Sequence, residues 1–212
     1  MTPEELAARH PRLYHLTLPC LLPSIEQHGL WSASALIDGS IADPAARAAR
    51  KRTRRKAAEP LDHLAFGQVI LNDQTPLSES KLERCLEGGL TPADWLEILN
   101  ARVFLWSSEH HAKSLLGARA NRSRAVVLLQ LDTLRLAQAH ASAIEICPIN
   151  SGATIRKPAR RGATTFTPLT ALSYGDWSRR RGMKDTIKEV TVLGGVRCVA
   201  RYITARTYHG PV

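Results

Sequence analysis

Long hydrophobic runs are absent from the 212-residue sequence. No stretch reaches the roughly 18 to 20 apolar residues that a membrane-spanning helix needs. The first residues include Glu4 and Glu5, where an export signal would carry basic residues followed by an apolar segment. These two absences predict a cytoplasmic protein that neither crosses nor contacts a membrane.

Cysteine is scarce, and the common catalytic motifs are missing. The four cysteines stand far apart and include no CxxC pair, so neither a zinc site nor a disulfide framework is indicated. The signatures of phosphate-binding loops, Rossmann dinucleotide sites, zinc proteases and α/β hydrolases do not occur either. We therefore expect no bound metal and none of these enzyme classes.

Positive charge is present in excess and is concentrated in one segment. The chain has 29 Lys and Arg against 19 Asp and Glu, a formal charge of +10, and seven of the basic residues lie in the acid-free stretch RAARKRTRRK at 47–56. Such a segment favours a polyanionic partner, nucleic acid above all, the alternative being a solvated surface helix or linker. Aromatic residues make up only 5% of the chain, which argues against extensive stacking on single-stranded bases.

Local patterns predict about six strands and a similar number of helices. Helices are expected where capping residues precede suitable stretches: after Thr2, over SIEQHGL to Gly29, over Pro44–Arg55, Pro76–Glu87 and Thr91–Leu99, from Ser107 or Ser108 to Gly117, and from Asp132 or Thr133 to about His140. Strands are expected over RLYHLTL, RVFLW, RAVVLLQL, AIEIC, IKEVTVL and RCVARYI.

Helices dominate the first half of this pattern and strands the second, which favours an α+β fold over a regular series of βαβ units. The length suits a single domain over residues 1–212, with a basic insertion of loop and helix at about 38–60. RAVVLLQL, the most apolar strand, is expected to be central and covered on both faces. The last two strands are expected to form a hairpin around Gly194 and Gly195, and residues 156–184 an irregular loop.

Two positions within the predicted strands carry polar side chains of interest. His15 and Thr17 alternate with Leu16, so they lie on one strand face; the alternative is a structural histidine with satisfied hydrogen bonds. Glu189 lies in the apolar strand IKEVTVL, where an acid either faces solvent or works in a cleft, because burying an unpaired carboxylate is costly. The residue pattern leaves both alternatives open.

The order of these segments resembles a known family. LYHLTLPCLLPSIEQHGLWS resembles the opening of the DarT-type ADP-ribosyltransferases, which reads tyrosine-histidine-x-threonine and continues with a short helix and a Gly-Leu pair. IADPAARAARKR is similar to their helical, arginine-containing loop over NAD, and IKEVTVLGGVRCVARYI to their glutamate strand and last strand. The resemblance spans nearly all of residues 12–204. RVFLW and INSGAT are also similar to phrases of a bacterial domain family of unassigned function.

The resemblance implies an ADP-ribosyltransferase-like fold, in which a split mixed β-sheet is flanked by helices. It also implies an enzyme: an NAD-dependent mono-ADP-ribosyltransferase that modifies a base of nucleic acid, DNA rather than RNA. Such an enzyme would act as a toxin or a phage-defence effector, with an antitoxin or an ADP-ribosyl hydrolase as partner. Two alternatives stay open: a catalytically inactive domain of the same fold that binds nucleic acid or protein, and an RNA 2′-phosphotransferase-like enzyme.

The resemblance also assigns residues to roles. Glu189 is the implied catalytic carboxylate, which stabilises an oxocarbenium-like cation, and Arg50 is implied to bind the NAD pyrophosphate or to assist deprotonation of the target. His15 and Glu189 must then lie within about 15 Å, the reach of one nicotinamide ribose. The residues implied to bind NAD are His15, Leu16, Thr17, Ser24, Leu30, Arg50 and Arg54. Those expected to contact nucleic-acid phosphates are Arg52, Arg54, Arg55, Arg179, Arg180 and Arg181.

Overall fold

A seven-stranded sheet forms the centre of the computed structural model. The structure describes residues 1–116, 124–155, 157–181 and 187–210, with the side chains of all of these except 114–116, 180 and 181. Helices pack against both faces of the sheet, so the fold is α+β as predicted. The expectation of a mixed sheet is wrong, because every pairing between the described strands of this sheet is antiparallel.

The described residues form nine α-helices and eleven strands. In chain order the helices are α1 (Pro3–Arg9), α2 (Leu22–His28), α3 (Ala33–Ser40), α4 (Pro44–Lys51), α5 (Glu79–Glu83), α6 (Pro92–Asn100), α7 (Glu109–Leu116), α8 (Thr133–His140) and α9 (Tyr174–Arg181). The strands are β1 (Arg12–Thr17), β2 (Leu30–Trp31), β3 (Glu59–His63), β4 (Gly67–Leu71), β5 (Arg102–Trp106), β6 (Val126–Asp132), β7 (Ile144–Cys147), β8 (Thr167–Pro168), β9 (Glu189–Leu193), β10 (Gly195–Val196) and β11 (Ile203–His209).

Capping residues fix the helices that the sequence predicts best. Thr2 and Thr91 each form a capping box with the acid three residues later, and these boxes begin α1 and α6. Gly29 ends α2 with a φ of 101°, in a region that glycine enters without strain. Asp132 caps α8 at the predicted position, whereas α4 and α5 are shorter than expected and α3 is not predicted.

The strand order in the large sheet is β11-β6-β1-β5-β9-β7-β8. β6 is buried, as its apolar sequence predicts, but it lies second from the edge of the sheet and not at the centre. The predicted hairpin around Gly194 and Gly195 is wrong, because β9 pairs with β5 and β7 whereas β11 pairs with β6 at the edge of the sheet. Cys198, in the left-handed conformation with a φ of 50°, leads into the turn before β11. The predicted irregular loop at 156–184 is wrong in part, because its described residues, 157–181, contain β8 and α9; positions 156 and 182–184 lie outside the described residues.

The sheet is split between β1 and β5. β1 pairs with β6 over six residues and β5 pairs with β9 over five, but β1 and β5 pair only at Tyr14 and Trp106 among the described residues. Past this pair the two strands are no longer joined by a ladder, and residues from both line an open cleft. The split therefore creates the space in which a site can form.

Two apolar clusters hold the helices against opposite faces of the sheet. On one face Leu13 of β1 packs with Leu136 of α8 and with residues of α1 and α9. On the other face Cys147 of β7 packs with Trp95 of α6 and with residues of α5. The alternation of side chains along each strand sends apolar groups to both clusters, so the central strands are covered on both sides.

A hairpin that is not predicted from the sequence is formed by β3 and β4 over residues 59–71. It is the next element after α4, so the basic segment that was expected to be an insertion of loop and helix is followed by two paired strands. Phe66 beside its turn stacks between His63 and His28, with ring centroids 4.1 and 4.8 Å away. We call this element the covering hairpin, because Phe66 and part of β4 line the cleft.

Three further features concern the membrane, metals and thiols. Among the described helices, none is both long and apolar enough to cross a membrane. The described part of the chain holds no group of three or more His, Cys, Asp or Glu placed to bind a metal ion. The four cysteines all lie among the described residues and form no disulfide; Cys20 and Cys198 are exposed, and Cys85 and Cys147 are buried.

Candidate functional site

A cleft of about 430 Å³ lies where β1 and β5 separate, beneath the covering hairpin. Its volume is within the range of roughly 300 to 1,000 Å³ that is usual for small-molecule sites. Five of the residues that the sequence analysis assigns to NAD or to catalysis line it together: His15, Thr17, Ser24, Leu30 and Glu189. The fold thus brings together residues from both ends of the chain.

His15 fills the gap that the split leaves in the sheet. Its Nδ1 lies 2.9 Å from the carbonyl oxygen of Phe104 in β5, a carbonyl on the side where the ladder to β1 has ended. Burial lowers the pKa of His15, so the ring is neutral at physiological pH. Nδ1–H donates to Phe104, which leaves Nε2 as an acceptor. The side chain of Leu16 alternates with those of His15 and Thr17 and is not among the described groups that line the cleft.

Glu189 is the first residue of β9, and only 2% of it is exposed. Ser151 holds its carboxylate: the Ser151 backbone N–H donates to Oε1 and Oε2 at 3.2 and 3.3 Å, and Ser151 Oγ donates to Oε2 at 2.6 Å. The prediction from the strand pattern alone, that an acid here faces solvent or works in a cleft, is resolved in favour of the cleft.

Burial raises the pKa of Glu189 to about 7. The hydrogen bonds from Ser151, a contact with the Cys147 thiol and the charge of Arg161 act in the opposite direction and keep the rise from being larger. The carboxyl group therefore exchanges its proton near neutral pH, which is the property that acid–base chemistry in a site requires.

The sheet register sets the separation of His15 and Glu189. Tyr14 pairs with Trp106, and Trp106 pairs with Glu189, so the three residues lie in line across β1, β5 and β9. Neighbouring strands are about 4.8 Å apart, which places the α-carbons of Tyr14 and Glu189 about 10 Å from each other. His15 is the next residue along β1, so the separation meets the requirement of about 15 Å that one nicotinamide ribose sets.

Arg55 is the arginine of the basic segment that lines the cleft. It is 5% exposed, and neutral groups hold it: Nε donates to the carbonyl of Asn72 at 2.8 Å and Nη1 to Oδ1 of Asn100 at 2.9 Å. No carboxylate of the described residues forms an ion pair with it. Burial, with a smaller contribution from the charge of Arg50, lowers its pKa to about 10, so the buried group still carries its charge at neutral pH.

Arg50 and Arg54 are not where the resemblance to the DarT-type enzymes would put them. Arg50 forms an ion pair with Glu59 of the covering hairpin, and Arg54 donates to two backbone carbonyls beyond that hairpin, both at 3.4 Å. Neither is among the described residues that line the cleft. Of the three arginines, the structure therefore brings Arg55, and not Arg50 or Arg54, to the wall of the cleft.

Two of the arginines expected to contact nucleic acid form ion pairs within the chain. Arg52 pairs with two acids of α6 at 2.5 and 2.6 Å, and Arg179 pairs with an acid three residues earlier. Arg55 is buried, so it cannot contact a strand that stays outside the cleft. The side chains of Arg180 and Arg181 lie outside the described residues.

A comparison with protein-family models gives a match over residues 11–203, to a family of unknown function, DUF7002. The chain belongs to the DUF7002 family. A search of the curated proteins finds no match. The DUF7002 model carries no activity, so the resemblance to the DarT-type ADP-ribosyltransferases stays a prediction.

Sequence reasoning misses two residues that shape the cleft of this DUF7002 chain. Ser151 lies in INSGAT, where the pattern signals only a polar turn and gives no hint of the glutamate that it binds. Arg161 is 1% exposed, although it lies in an Arg-, Gly- and Pro-rich segment that is typical of solvated loops. Its neighbour Arg160 has an 85% exposed side chain, and nothing in the local sequence distinguishes the two arginines.

Proposed function

We propose that this protein is an NAD-dependent mono-ADP-ribosyltransferase that acts on nucleic acid. The observation that carries the proposal is the meeting of His15, Thr17 and the buried Glu189 in one cleft. The resemblance to the DarT-type enzymes assigns these three residues to the nicotinamide ribose. The split between β1 and β5 supports an ADP-ribosyltransferase-like fold as part of the same proposal.

The charges in the cleft fit NAD. Arg55 is a buried cation that forms no ion pair with the described acids, and a pyrophosphate offers the oxygens that a guanidinium binds best. Glu189 is a buried carboxylate held only by neutral donors, and it suits a group on which positive charge develops. A ligand with an anionic pyrophosphate, and with a ribose carbon on which positive charge develops as its bond to nicotinamide breaks, would therefore compensate both.

When bound, NAD supplies an ADP-ribosyl group: the bond between ribose C1′ and nicotinamide breaks, its electron pair leaves on nicotinamide, and C1′ bonds to a nitrogen or oxygen of a base. The ionised Glu189 faces the developing positive charge and accepts the proton that the base loses. Neutral His15, with Nδ1–H donating to Phe104, offers Nε2 as acceptor to a ribose hydroxyl. Because Glu189 titrates near 7, the proposal includes a rate that rises with pH through neutrality.

Nucleic acid is the proposed target because of the formal charge of +10. Arg54 and the exposed Lys56 flank Arg55 and form no ion pair with the described acids. These two cations would meet the phosphates of a strand whose base enters the cleft. We propose DNA before RNA as the substrate, with the modified base taken out of its stack.

The test is transfer of label from NAD to nucleic acid. Radiolabelled NAD is incubated with the protein and with single-stranded DNA, duplex DNA or RNA, and the labelled product is identified by mass spectrometry. We expect labelled DNA, and a rate at least about 100-fold lower with Glu189→Gln, which keeps the shape but not the charge. Glu97→Gln, on the half-exposed face of α6, is the matched control and is expected to be fully active.

The proposal is wrong if the wild-type protein labels no nucleic acid, or if Glu189→Gln is as active as the wild type. Salt-sensitive binding of nucleic acid without transfer, and without thermal stabilisation by millimolar NAD, would favour the catalytically inactive alternative. Release of a cyclic ADP-ribose phosphate from 2′-phosphorylated RNA would favour the phosphotransferase alternative.

A further inference from the structure

Arg161 is a buried cation that does not reach the cleft. Its side chain is held by carbonyl oxygens: Nη1 donates to Ser151 at 2.6 Å, Nη2 to Ala153 at 3.2 Å and Nε to Ala159 at 3.1 Å. Its guanidinium carbon also lies 5.9 Å from the ring centroid of Trp95. It forms no ion pair with the described acids, so its charge is not neutralised by direct contact. A buried arginine that binds only carbonyls organises the backbone around it.

The backbone that Arg161 organises is the loop over residues 150–154. Trp95 Nε1 donates to the same Ser151 carbonyl at 3.3 Å, and Thr154 is tied by its side chain to Ser78 at 2.6 and 3.1 Å. Three other residues of the loop line the cleft opposite the covering hairpin: Asn150, Gly152 and Ala153. Hydrogen bonds from Arg161, Trp95 and Ser78 therefore hold the same loop that forms part of the cleft wall.

Ser151 connects the Arg161 guanidinium to the candidate catalytic carboxylate of Glu189. Its carbonyl oxygen accepts from Arg161, and its backbone N–H and Oγ donate to Glu189. A guanidinium that fixes the carbonyl limits where the serine can lie, and the serine in turn limits where the carboxylate can lie. Hydrogen bonds in such a chain also polarise one another.

We propose that Arg161 is a positioning residue for Glu189, which it orients through Ser151 and keeps available as a carboxylate without touching the ligand. The role in the reaction rests on the proposed function, whereas the effect on Glu189 does not. Sequence reasoning treats Arg161 as one arginine among many, and it lies outside the residues that the resemblance assigns.

The groups that face Glu189 support this assignment. Cys147 of β7 and Trp106 of β5 are its partners across the sheet, and His15, neutral for the reason given above, shares the cleft. Of the groups that act on the Glu189 carboxyl, Arg161 is the one that carries a positive charge, because a guanidinium keeps its proton in proteins. Burial lowers the pKa of Arg161. Loss of Arg161 would therefore leave burial less opposed and raise the pKa of Glu189.

The test is a direct titration of Glu189 in the free protein. The full chain is labelled with ¹³C at the glutamate side-chain carboxyl, and the Glu189 resonance is the one that Glu189→Gln removes. We expect a wild-type midpoint of about 7 and a higher midpoint in Arg161→Met. Arg160→Met is the matched control, since that neighbouring arginine is exposed, and it is expected to titrate like the wild type.

An unchanged midpoint in folded Arg161→Met would overturn the proposal. Where Arg161→Met does not fold, Ser151→Ala decides, because it removes the Oγ hydrogen bond and leaves the guanidinium in place. A raised midpoint in Ser151→Ala supports the connection through the serine, and an unchanged midpoint refutes it.

The titration needs neither NAD nor transfer activity, so its outcome is independent of the proposed function. In a protein that does transfer ADP-ribose, the acid limb of the pH–rate profile is expected to move up by the same amount as the Glu189 midpoint, with the KM for NAD unchanged. A shifted midpoint in a protein without transfer activity would uphold the positioning role and refute the enzyme.

Discussion

Two buried glutamates lie on adjacent strands of the same sheet, and their surroundings differ. Glu145 of β7 is 8% exposed and accepts from Arg102, whose Nε and Nη2 donate at 2.7 and 3.0 Å. Glu189 of β9 is 2% exposed, and the described donors at hydrogen-bond distance from it are neutral. Glu145 thus forms a complete ion pair, whereas the charge of Glu189 has no counter-charge in contact.

This difference separates a structural carboxylate from one available for chemistry. Arg102 and Arg55 both line the cleft, but Arg102 is neutralised by Glu145 while Arg55 has no acid partner among the described residues. The cleft is therefore lined by two compensated charges, Arg102 paired with Glu145 and Asp73 paired with Arg124, and by two charges of opposite sign that form no ion pair with the described residues, Arg55 and Glu189. A ligand with complementary charges would gain binding energy from Arg55 and Glu189, and none from the charges that are already paired.

Glu145→Gln is expected to give the largest loss of stability. It leaves the charge of Arg102 buried without a partner, which in other proteins costs about 3 to 5 kcal/mol of the free energy of unfolding. Urea denaturation of the variant against Glu97→Gln measures the loss, since Glu97 belongs to a half-exposed ion pair. A loss as small as that of the control would mean that Glu145 and Glu189 are equivalent after all.

Glu189→Gln is expected to change how stability depends on pH. The pKa of Glu189 is about 7 in the folded protein, against an ordinary glutamate value of 4.5. Its protonated form therefore favours folding, and that contribution is lost as pH rises from about 4.5 to above 7. A shift of this size corresponds to roughly 3 kcal/mol. Unfolding free energies measured at pH 5 and pH 8 should therefore differ by less in Glu189→Gln than in the wild type.

The contrast between Glu145 and Glu189 is contradicted if the free energies of unfolding of the wild type and of Glu189→Gln fall by the same amount between these two pH values. Parallel curves would mean that Glu189 has an ordinary acidity in the folded state and is no more available for proton exchange than an exposed glutamate. Glu145→Gln is not a suitable control here, because it also disturbs Arg102.

How much of this could be predicted from the sequence depends on the distance along the chain over which each feature is determined. The starts of α1 and α6 are predicted because Thr2 and Thr91 act on residues of the same helical turn. The pairing of β11 with β6 is not predicted, because Gly194 and Gly195 suggest a local hairpin and only tertiary packing sends the last strand to the far edge.

The candidate site divides in the same way. His15 and Thr17 can be identified because they alternate within a single strand. The contact of Glu189 with Ser151 spans 38 residues and that of Arg55 with Asn100 spans 45, so no local pattern records either. The basic segment shows how composition misleads, since its charge suggests exposure while Arg55 is buried.

Arg55→Met is expected to weaken NAD binding without preventing folding. Met fills the volume of the arginine stem but offers nothing to a pyrophosphate, and loss of a charge-assisted bidentate contact corresponds to roughly a 10- to 100-fold rise in Kd. Isothermal titration of NAD into the variant measures it. A folded Arg55→Met protein with wild-type affinity for NAD would show that Arg55 does not bind the anionic part of the ligand. Only the contrast between Glu189 and Glu145 would then remain.

Arg52→Met is expected to have the smallest effect, and it tests whether position or charge matters in the basic segment. The substitution Arg52→Met removes the same charge as Arg55→Met, three residues away. The Arg52 side chain, which pairs with two acids of α6, is 39% exposed. Pairs of this kind contribute little, so the Tm should move by less than about 2 °C. NAD affinity should stay at the wild-type value, because the expected role of Arg55 depends on its burial in the cleft. Equal losses of NAD affinity in Arg52→Met and Arg55→Met would instead mean that the segment acts through its net charge, and the distinction between paired and unpaired charges would not hold for the arginines.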